Sequence, residues 1–285
     1  MPGDQDSRFS IIDMYLHYWG RLRRQDLQNH WAVGSVTASR ILKTYNVSYP
    51  ANMLYSVSHR AYIWSESFRA EQLPPAEVAL DVLANGRASQ PVSTRRYGPE
   101  EALFRSPLAP KLVGAVTRAM VGTRAVNVSY VSGTSGASNK TLFPHAILES
   151  GGAWYFRAFD WDKQDFRTFR FNRIVSLLNE HLPSDCGTMA DASMDLEWHT
   201  PVVLTLAPHS RHPRPQALQL DLGLQNRPVK NIISNSVTAP FLLTDLRVDC
   251  SESASLDPFE YPLQLMNRSE VKQIQGMVLA PGFQS

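Results

Sequence analysis

The stretch GGAWYFRAFDWDKQDFRTFRFNRI, residues 151–174, sets aromatic rings and arginines in near alternation around an acidic turn. A period of two marks a β-strand, whose successive side chains point to opposite faces. It sends Trp154, Phe156 and Ala158 to one side and Tyr155, Arg157 and Phe159 to the other. WYFRAFD (154–160) and FRTFRF (166–171) therefore read as a hairpin turning at Asp162-Lys163-Gln164-Asp165. VNVSYVS, from 126, adds a strand, and Pro144-His145 begins another. Four or five short strands with a small helix predict a strongly curved barrel of the SH3 or Sm type.

A packed core does not accept four arginines, and a solvated surface does not call for so many rings. Arg170 and Arg173 follow on the neighbouring segment. Were they to converge with Tyr155, Arg157, His145, Tyr130 and Ser132, the result would be a cationic pocket edged with stacking surface. Nucleotides and single-stranded nucleic acid require both features, guanidinium forks for phosphate and flat groups for bases. The competing reading is a solvated strand face, its arginines met by Asp160, Asp162 and Asp165.

Upstream, Phe9, Ile12, Leu16 and Trp19 recur at helical spacing and Gly20 follows as a stop. A short second helix is expected over 23–31, then a turn at Ala32-Val33-Gly34. On a third helix, SVTASRILKTYNV, the residues Ala38, Ile41, Leu42 and Tyr45 form the buried stripe. Its other side carries Ser35, Val36, Ser39, Arg40 and Lys43, with Thr37 on the flank.

This is the pattern of a helix-turn-helix, whose last helix enters the major groove. Arg40 would read a guanine edge, Thr37 and Ser39 would bond base or phosphate, and Val36 would meet a thymine methyl. MLYSVSHRAYIW (53–64) reads as a hairpin wing with His59 and Arg60 at its tip, against phosphates. Between residues 1 and 70, eight basic residues face five acidic ones.

Length and composition frame these readings. The 285 residues suffice for two or three small domains, and 43% hydrophobic with 19% charged residues is an ordinary soluble composition. Proline-rich and small-residue breaks place boundaries at 1–72, a linker helix and connector over 73–106, then 107–182 and 194–285. The fold class expected is α+β and multidomain: winged helix-turn-helix, Sm/SH3-like barrel, small α/β domain. No apolar run approaches the roughly 20 residues a membrane span requires, and MPGDQDSRF lacks a signal peptide's apolar region, so a cytoplasmic protein is expected. Cys186 and Cys250 allow at most one disulfide and suggest no zinc ribbon.

Residues 126–174 resemble a WYL domain, the eponymous triplet being written here Trp154-Tyr155-Phe156. Tyr130 and Ser132, Pro144-His145, Arg157-Ala158, Phe169-Arg170 and Arg173-Ile174 also stand where that pattern puts them. The layout of the whole chain is similar to the WYL regulators of bacterial anti-phage systems, the BrxR and CapW group. WAVGSVTASRIL keeps that group's aromatic, Ala38, Ser39 and Leu42, but departs from it at Gly34, Val36-Thr37 and Ile41.

The resemblance implies a homodimeric repressor of a defence operon, binding palindromic operator DNA. It also implies a WYL pocket sensing a nucleotide or nucleic-acid effector through Tyr130, Ser132, His145, Arg157, Arg170 and Arg173. A single-stranded RNA or DNA binder that uses the barrel itself is the alternative.

In the last segment, 202–207 and 228–234 read as strands, and Phe241-Leu242-Leu243 with Leu246 as a helix face beginning after Pro240. In the resemblance this part serves dimerisation. His209 and His212 in PHSRHPRP read as part of an exposed proline-rich loop rather than metal ligands. No nucleophile, phosphate-loop or zincin motif is present, so neither catalysis nor a cofactor is expected.

Overall fold

The computed structural model describes residues 2–70, 73–85, 107–182, 190–224 and 227–284. Most of the expected connector after the linker helix, and Cys186, lie outside the described residues. Two compact units result: Met1–Leu148 with Trp154–Ala190, and Glu149–Ala153 with Asp191–Ser285.

The first unit opens with helix α1 (Pro2–Met14), which continues into a wider π-helical turn, Tyr15–Trp19. Gly20, at φ 70°, ends it by donating its N–H to the Leu16 carbonyl at 3.0 Å, the left-handed stop that glycine adopts without strain. After strand β1 (Arg21–Leu22) come α2 (Arg24–Trp31) and α3 (Ser35–Ser48). Strands β2 (Met53–Ser56) and β3 (Ala61–Trp64) form the expected hairpin. β1 pairs with β3, Arg21 opposite Ile63, which makes a three-stranded wing sheet of order β1-β3-β2. Two residues carry no periodicity, so the sequence does not announce that third strand.

Ile12, Leu16, Leu27, Ala38, Ile41, Leu42 and Tyr45 close the core between these helices. A buried polar chain fixes α3 within it. The Tyr45 hydroxyl donates to Asp13 on α1, while Asn52 Nδ2 donates to the Tyr45 hydroxyl at 2.9 Å and to the Arg69 carbonyl at 2.8 Å. Burial, then the bond to Asp13, push the Tyr45 pKa well above the ordinary tyrosine value.

Two further helices, α4 (Ala76–Asn85) and α5 (Pro110–Val121), precede the second sheet, and Pro110 stands at the start of α5 where its missing N–H costs nothing. The sheet contains β4 (Ala125–Ser132), β5 (Gly136–Ser150), β6 (Ala153–Asp160), β7 (Asp165–Arg170) and β8 (Ile174–Leu182). Their order is β7-β6-β5-β4-β8. The expected closed barrel of Sm or SH3 type is not what forms: among the described residues no ladder joins β7 to β8, and the sheet stays open.

Pro144 lies inside β5 instead of beginning it. The ladder with β4 ends at Leu142 opposite Val126, so the missing proline N–H falls where β4 offers no partner. Gly151 and Gly152, both at positive φ, turn the chain tightly into β6.

Phe156, Phe169, Phe171, Leu142 and Val128 from the sheet share one core with Val113 and Val116 of α5, Leu80 of α4, and Met14 and Tyr18 of the first helix. Residues of the first helix and of the sheet therefore pack into one core. Gly114 of α5 makes this possible: a Cβ there would lie 2.8 Å from His17 Nε2 and 2.9 Å from Arg118 Nη1.

In the second unit, α6 (Leu196–His199) leads to β9 (Pro201–Pro208), and α7 (Pro215–Asp221) to β10 (Lys230–Asn235). Then follow α8 (Ala239–Asp245), β11 (Val248–Asp249), β12 (Leu263–Leu265) and α9 (Arg268–Val271). The sheet order is β10-β9-β12-β11, with β11 parallel to β12 and the other pairings antiparallel. α8 begins just before Pro240, not after it. Leu204, Leu206, Leu243 and Val248 fill the core. Cys250 is a free buried thiol whose pKa burial pushes up to about 12.

His209 overturns its expectation. It is buried, with Nε2 3.1 Å from Asp249 Oδ2, and its Nδ1 accepts the Arg211 N–H at 3.1 Å. With Nδ1 accepting, Nε2 must carry the proton and donate to the carboxylate. Asp249 also accepts from Ser251 and Leu256 N–H groups at 2.7 and 2.9 Å, so the histidine belongs to a folded loop and not to a solvated one. A spacing argument could not supply a partner 40 residues away.

Candidate functional site

Two surfaces of the first unit carry the expected chemistry. On α3, helical period separates the faces cleanly. Ala38, Ile41, Leu42 and Tyr45 are buried; Ser35, Val36, Ser39, Arg40 and Lys43 are exposed, Val36 at 82%; Thr37 is half-buried on the flank. Gly34 caps the helix in an extended conformation without a side-chain bond, so the first N–H groups of α3 keep their donor capacity. The wing turn exposes His59 and Arg60. His59 is held by its Nδ1, 2.9 Å from Ser56 Oγ, which fixes the ring against its own hairpin.

The second surface is the face of the five-stranded sheet turned away from the main core. Register puts Tyr155 opposite Arg170, Arg157 opposite Thr168 and Phe159 opposite Phe166. Strand period therefore lines Tyr155, Arg157 and Phe159 beside Arg170, Thr168 and Phe166 on one face. The Arg170 guanidinium lies 5.8 Å from the Tyr155 ring centre. Arg157, only 5% exposed, points Nη1 at Thr168 Oγ1, 3.5 Å away.

His145 meets the edge of Phe166 at 5.6 Å, further along this face. There Phe143, Phe159, Phe166 and Ala125 gather into a small apolar cluster that the sequence reading missed. One end of the face is cationic and the other aromatic.

Tyr130 contributes its hydroxyl instead of its ring. The ring packs edge-on against Phe169 in the core at 5.3 Å, while the oxygen accepts the Arg170 N–H at 2.9 Å. Burial raises its pKa, opposed by that backbone bond and by the Arg173 guanidinium, which bonds the same hydroxyl. Tyr130 thus ties Arg170 to Arg173. Arg173 is exposed, and its guanidinium lies beside Gly133 in the β4–β5 turn. Ser132 is spent on that turn, accepting the N–H groups of Thr134 and Ser135 at 3.2 and 3.3 Å.

Of the aspartates offered by the competing reading, Asp160 is engaged elsewhere, while Asp165 does meet one of the four arginines, Arg167. Asp160 is fully buried against Lys140 at 2.7 Å, and Asp165 stands 3.5 Å from exposed Arg167. Lys140 is a residue that the sequence reading missed, since pairing across two strands leaves no spacing signal. Arg170 Nε is buried with no hydrogen-bond partner among the described residues, a donor of the kind that an anion at this face would satisfy.

The model of the BrxR transcriptional regulator winged helix-turn-helix domain matches residues 4–82, and the WYL domain model matches residues 111–178. The chain thus carries a winged helix-turn-helix domain of the BrxR transcriptional-regulator type followed by a WYL domain. The DNA-binding transcriptional repressor CapW of Pseudomonas aeruginosa is 27% identical, over 95% of this chain and 91% of its own. Its namesake from Escherichia coli strain KTE188 is 26% identical over 72% of this chain and 70% of its own. That from Stenotrophomonas maltophilia is 28% identical over the same shares. Among solved structures, proteasome accessory factor B/C of Arthrobacter aurescens aligns with 97% of this chain at 13% identity and a TM-score of 0.26. The chain spans about half the length of that structure, and so loose a likeness adds nothing to the fold.

α3 and the wing lie within the matched winged helix-turn-helix domain, and the Tyr155, Arg157 and Arg170 face lies within the matched WYL domain.

Proposed function

We propose that the chain is a sequence-specific DNA-binding transcriptional regulator, a homodimeric repressor of an anti-phage defence operon acting in the cytoplasm. Its WYL face senses a nucleotide or a short single strand of nucleic acid. The observation that carries the reading is the division of α3: four buried residues lock one side, and five small, polar or basic ones stand in solvent beside an exposed basic wing tip. That is what a helix lying in the major groove requires.

Two copies would set their α3 helices about 34 Å apart, or a multiple of that, on a palindromic operator. Support for a dimer through the second unit comes from edge strand β10. Its Ile233, 77% exposed, sits directly opposite Val203, 46% exposed, so the two form an apolar patch beside an edge that no strand pairs among the described residues. Ligand at the WYL face releases the operator only if it prefers the released conformer; a 100-fold preference corresponds to about 2.7 kcal/mol.

Gel shifts at fixed salt, with duplex DNA flanking the protein's own coding region and with single-stranded RNA, test this. Duplex should bind more tightly. Arg157→Ala should keep that binding and lose its response to added nucleotide. Because Arg157 is nearly buried, Arg173→Ala, at an exposed site, provides the second variant. Tighter binding of RNA, or loss of duplex binding in both variants, would establish instead a single-strand binder that uses the sheet.

A further inference from the structure

Between the wing and α5 lies a cavity of about 530 Å³ that shares only His59 with the two surfaces above. It is large enough for a mononucleotide-sized molecule. Its walls come from the π-helical turn (Trp19, Gly20), β1 (Arg21), β3 (Ile63, Trp64) and the end of α5 with the residues after it (Arg118, Arg124). Three arginines and two tryptophans thus line one space, with Glu66 the one acidic residue among the described lining residues.

Its geometry is fixed before anything binds. The Arg118 guanidinium sits 4.7 Å from the Trp64 ring centre and donates to the His17 carbonyl, while its stem packs where a Gly20 Cβ would be. Trp19 is braced by Tyr15 at 5.1 Å. The α5 C-terminus would ordinarily repel an anion. Here, however, the carbonyls of Arg118, Ala119 and Met120 are already capped by the N–H groups of Gly122, Arg124 and Thr123. Arg124 is exposed, and its stem folds back over Gly122, whose added Cβ would lie 3.5 Å from Arg124 Cδ.

Rings for stacking next to guanidinium groups for a negative group define the chemistry of the occupant. We propose that this cavity is a second ligand site, separate from the WYL face, for a small anion carrying a planar ring, of mononucleotide size. His59 of the wing tip also lines it. An occupant therefore touches the wing directly and ties its position to α5, the helix that enters the WYL core.

The test uses the full chain with 5-fluorotryptophan, read by fluorine NMR without DNA, so that it stands apart from the DNA-binding reading. Adenosine 5′-monophosphate is the probe, with inorganic phosphate and adenosine as the single-feature controls. The Trp19 and Trp64 resonances, assigned by Trp19→Phe and Trp64→Phe, should shift saturably with the nucleotide at a Kd below about 1 mM, and at least about tenfold more weakly with either control. Arg124→Ala, a change at an exposed position, should weaken that response at least about tenfold, whereas Arg173→Ala should leave it within about twofold. Shifts confined to Trp154 and Trp161 of the sheet, or a response insensitive to Arg124→Ala, would overturn the proposal. So would no shift at all up to about 5 mM.

Discussion

The outward face of α3 and the arginine face of the WYL sheet both present guanidinium groups, but they are built in opposite ways. On α3, Arg40 and Lys43 stand in water on one element, and neighbouring residues along the chain place them. On the sheet, Arg157 is 5% exposed, Arg170 hangs from the next strand, and Arg173 is bridged to it through Tyr130 from a third. A solvated charge can be removed with little consequence for folding. A charge inside the sheet is part of the packing, and its loss leaves partners stranded. The reader face can therefore vary in sequence at small cost in stability, while the sheet face is held to what its neighbours satisfy.

The sharpest test of whether a charge inside the sheet belongs to its packing lies on the sheet's other face, at Asp160. Its carboxylate, fully buried, holds Lys140 at 2.7 Å and accepts the Asp162 N–H at 3.2 Å. Asp160→Ala strands the ammonium and should cost about 3–5 kcal/mol in urea unfolding, while Lys140→Met with Asp160→Leu should come back near neutral. A single-variant loss under about 1 kcal/mol would mean that the pair behaves like a surface contact, and the claim that charges buried in this sheet are part of its packing would fail.

Arg40→Ala tests the other side of the contrast. In the proposed regulator it should weaken binding to the cognate duplex by about 1–3 kcal/mol and relax one base position. Unfolding free energy should stay within about 0.5 kcal/mol, because the side chain is exposed. A loss of stability as large as that of Asp160→Ala would place Arg40 in the packing and remove α3 as a free reader.

The same contrast decides what was legible in the sequence. The α3 stripe at Ala38, Ile41, Leu42 and Tyr45 and the Gly20 stop could be read because helix geometry is local. Strand period likewise put Tyr155, Arg157 and Phe159 on one face, and the register agrees. What escaped was every relation between distant segments. Lys140 reaches Asp160 across the sheet, His209 finds Asp249, and β1 adds to the wing. Barrel closure escaped too, since strand count says nothing of whether β7 and β8 meet. Tyr130 was singled out correctly as a neighbour of the arginines, yet its ring belongs to the core and only its oxygen reaches them.

Lys43 refines the comparison within α3 itself. It lies one turn beyond Arg40 on the exposed face, farther from the helix N-terminus, the end that would approach base edges in the proposed regulator. An ammonium there meets phosphate as a point charge, without the fork that distinguishes one base from another. Lys43→Ala should therefore lower affinity equally for cognate and scrambled duplexes and reduce the slope of log K against log salt by about 1. Titrations of both duplexes at several salt concentrations measure this directly. If the loss fell on the cognate sequence alone, Lys43 would be reading a base, and α3 would sit deeper in the groove than its N-terminal chemistry implies.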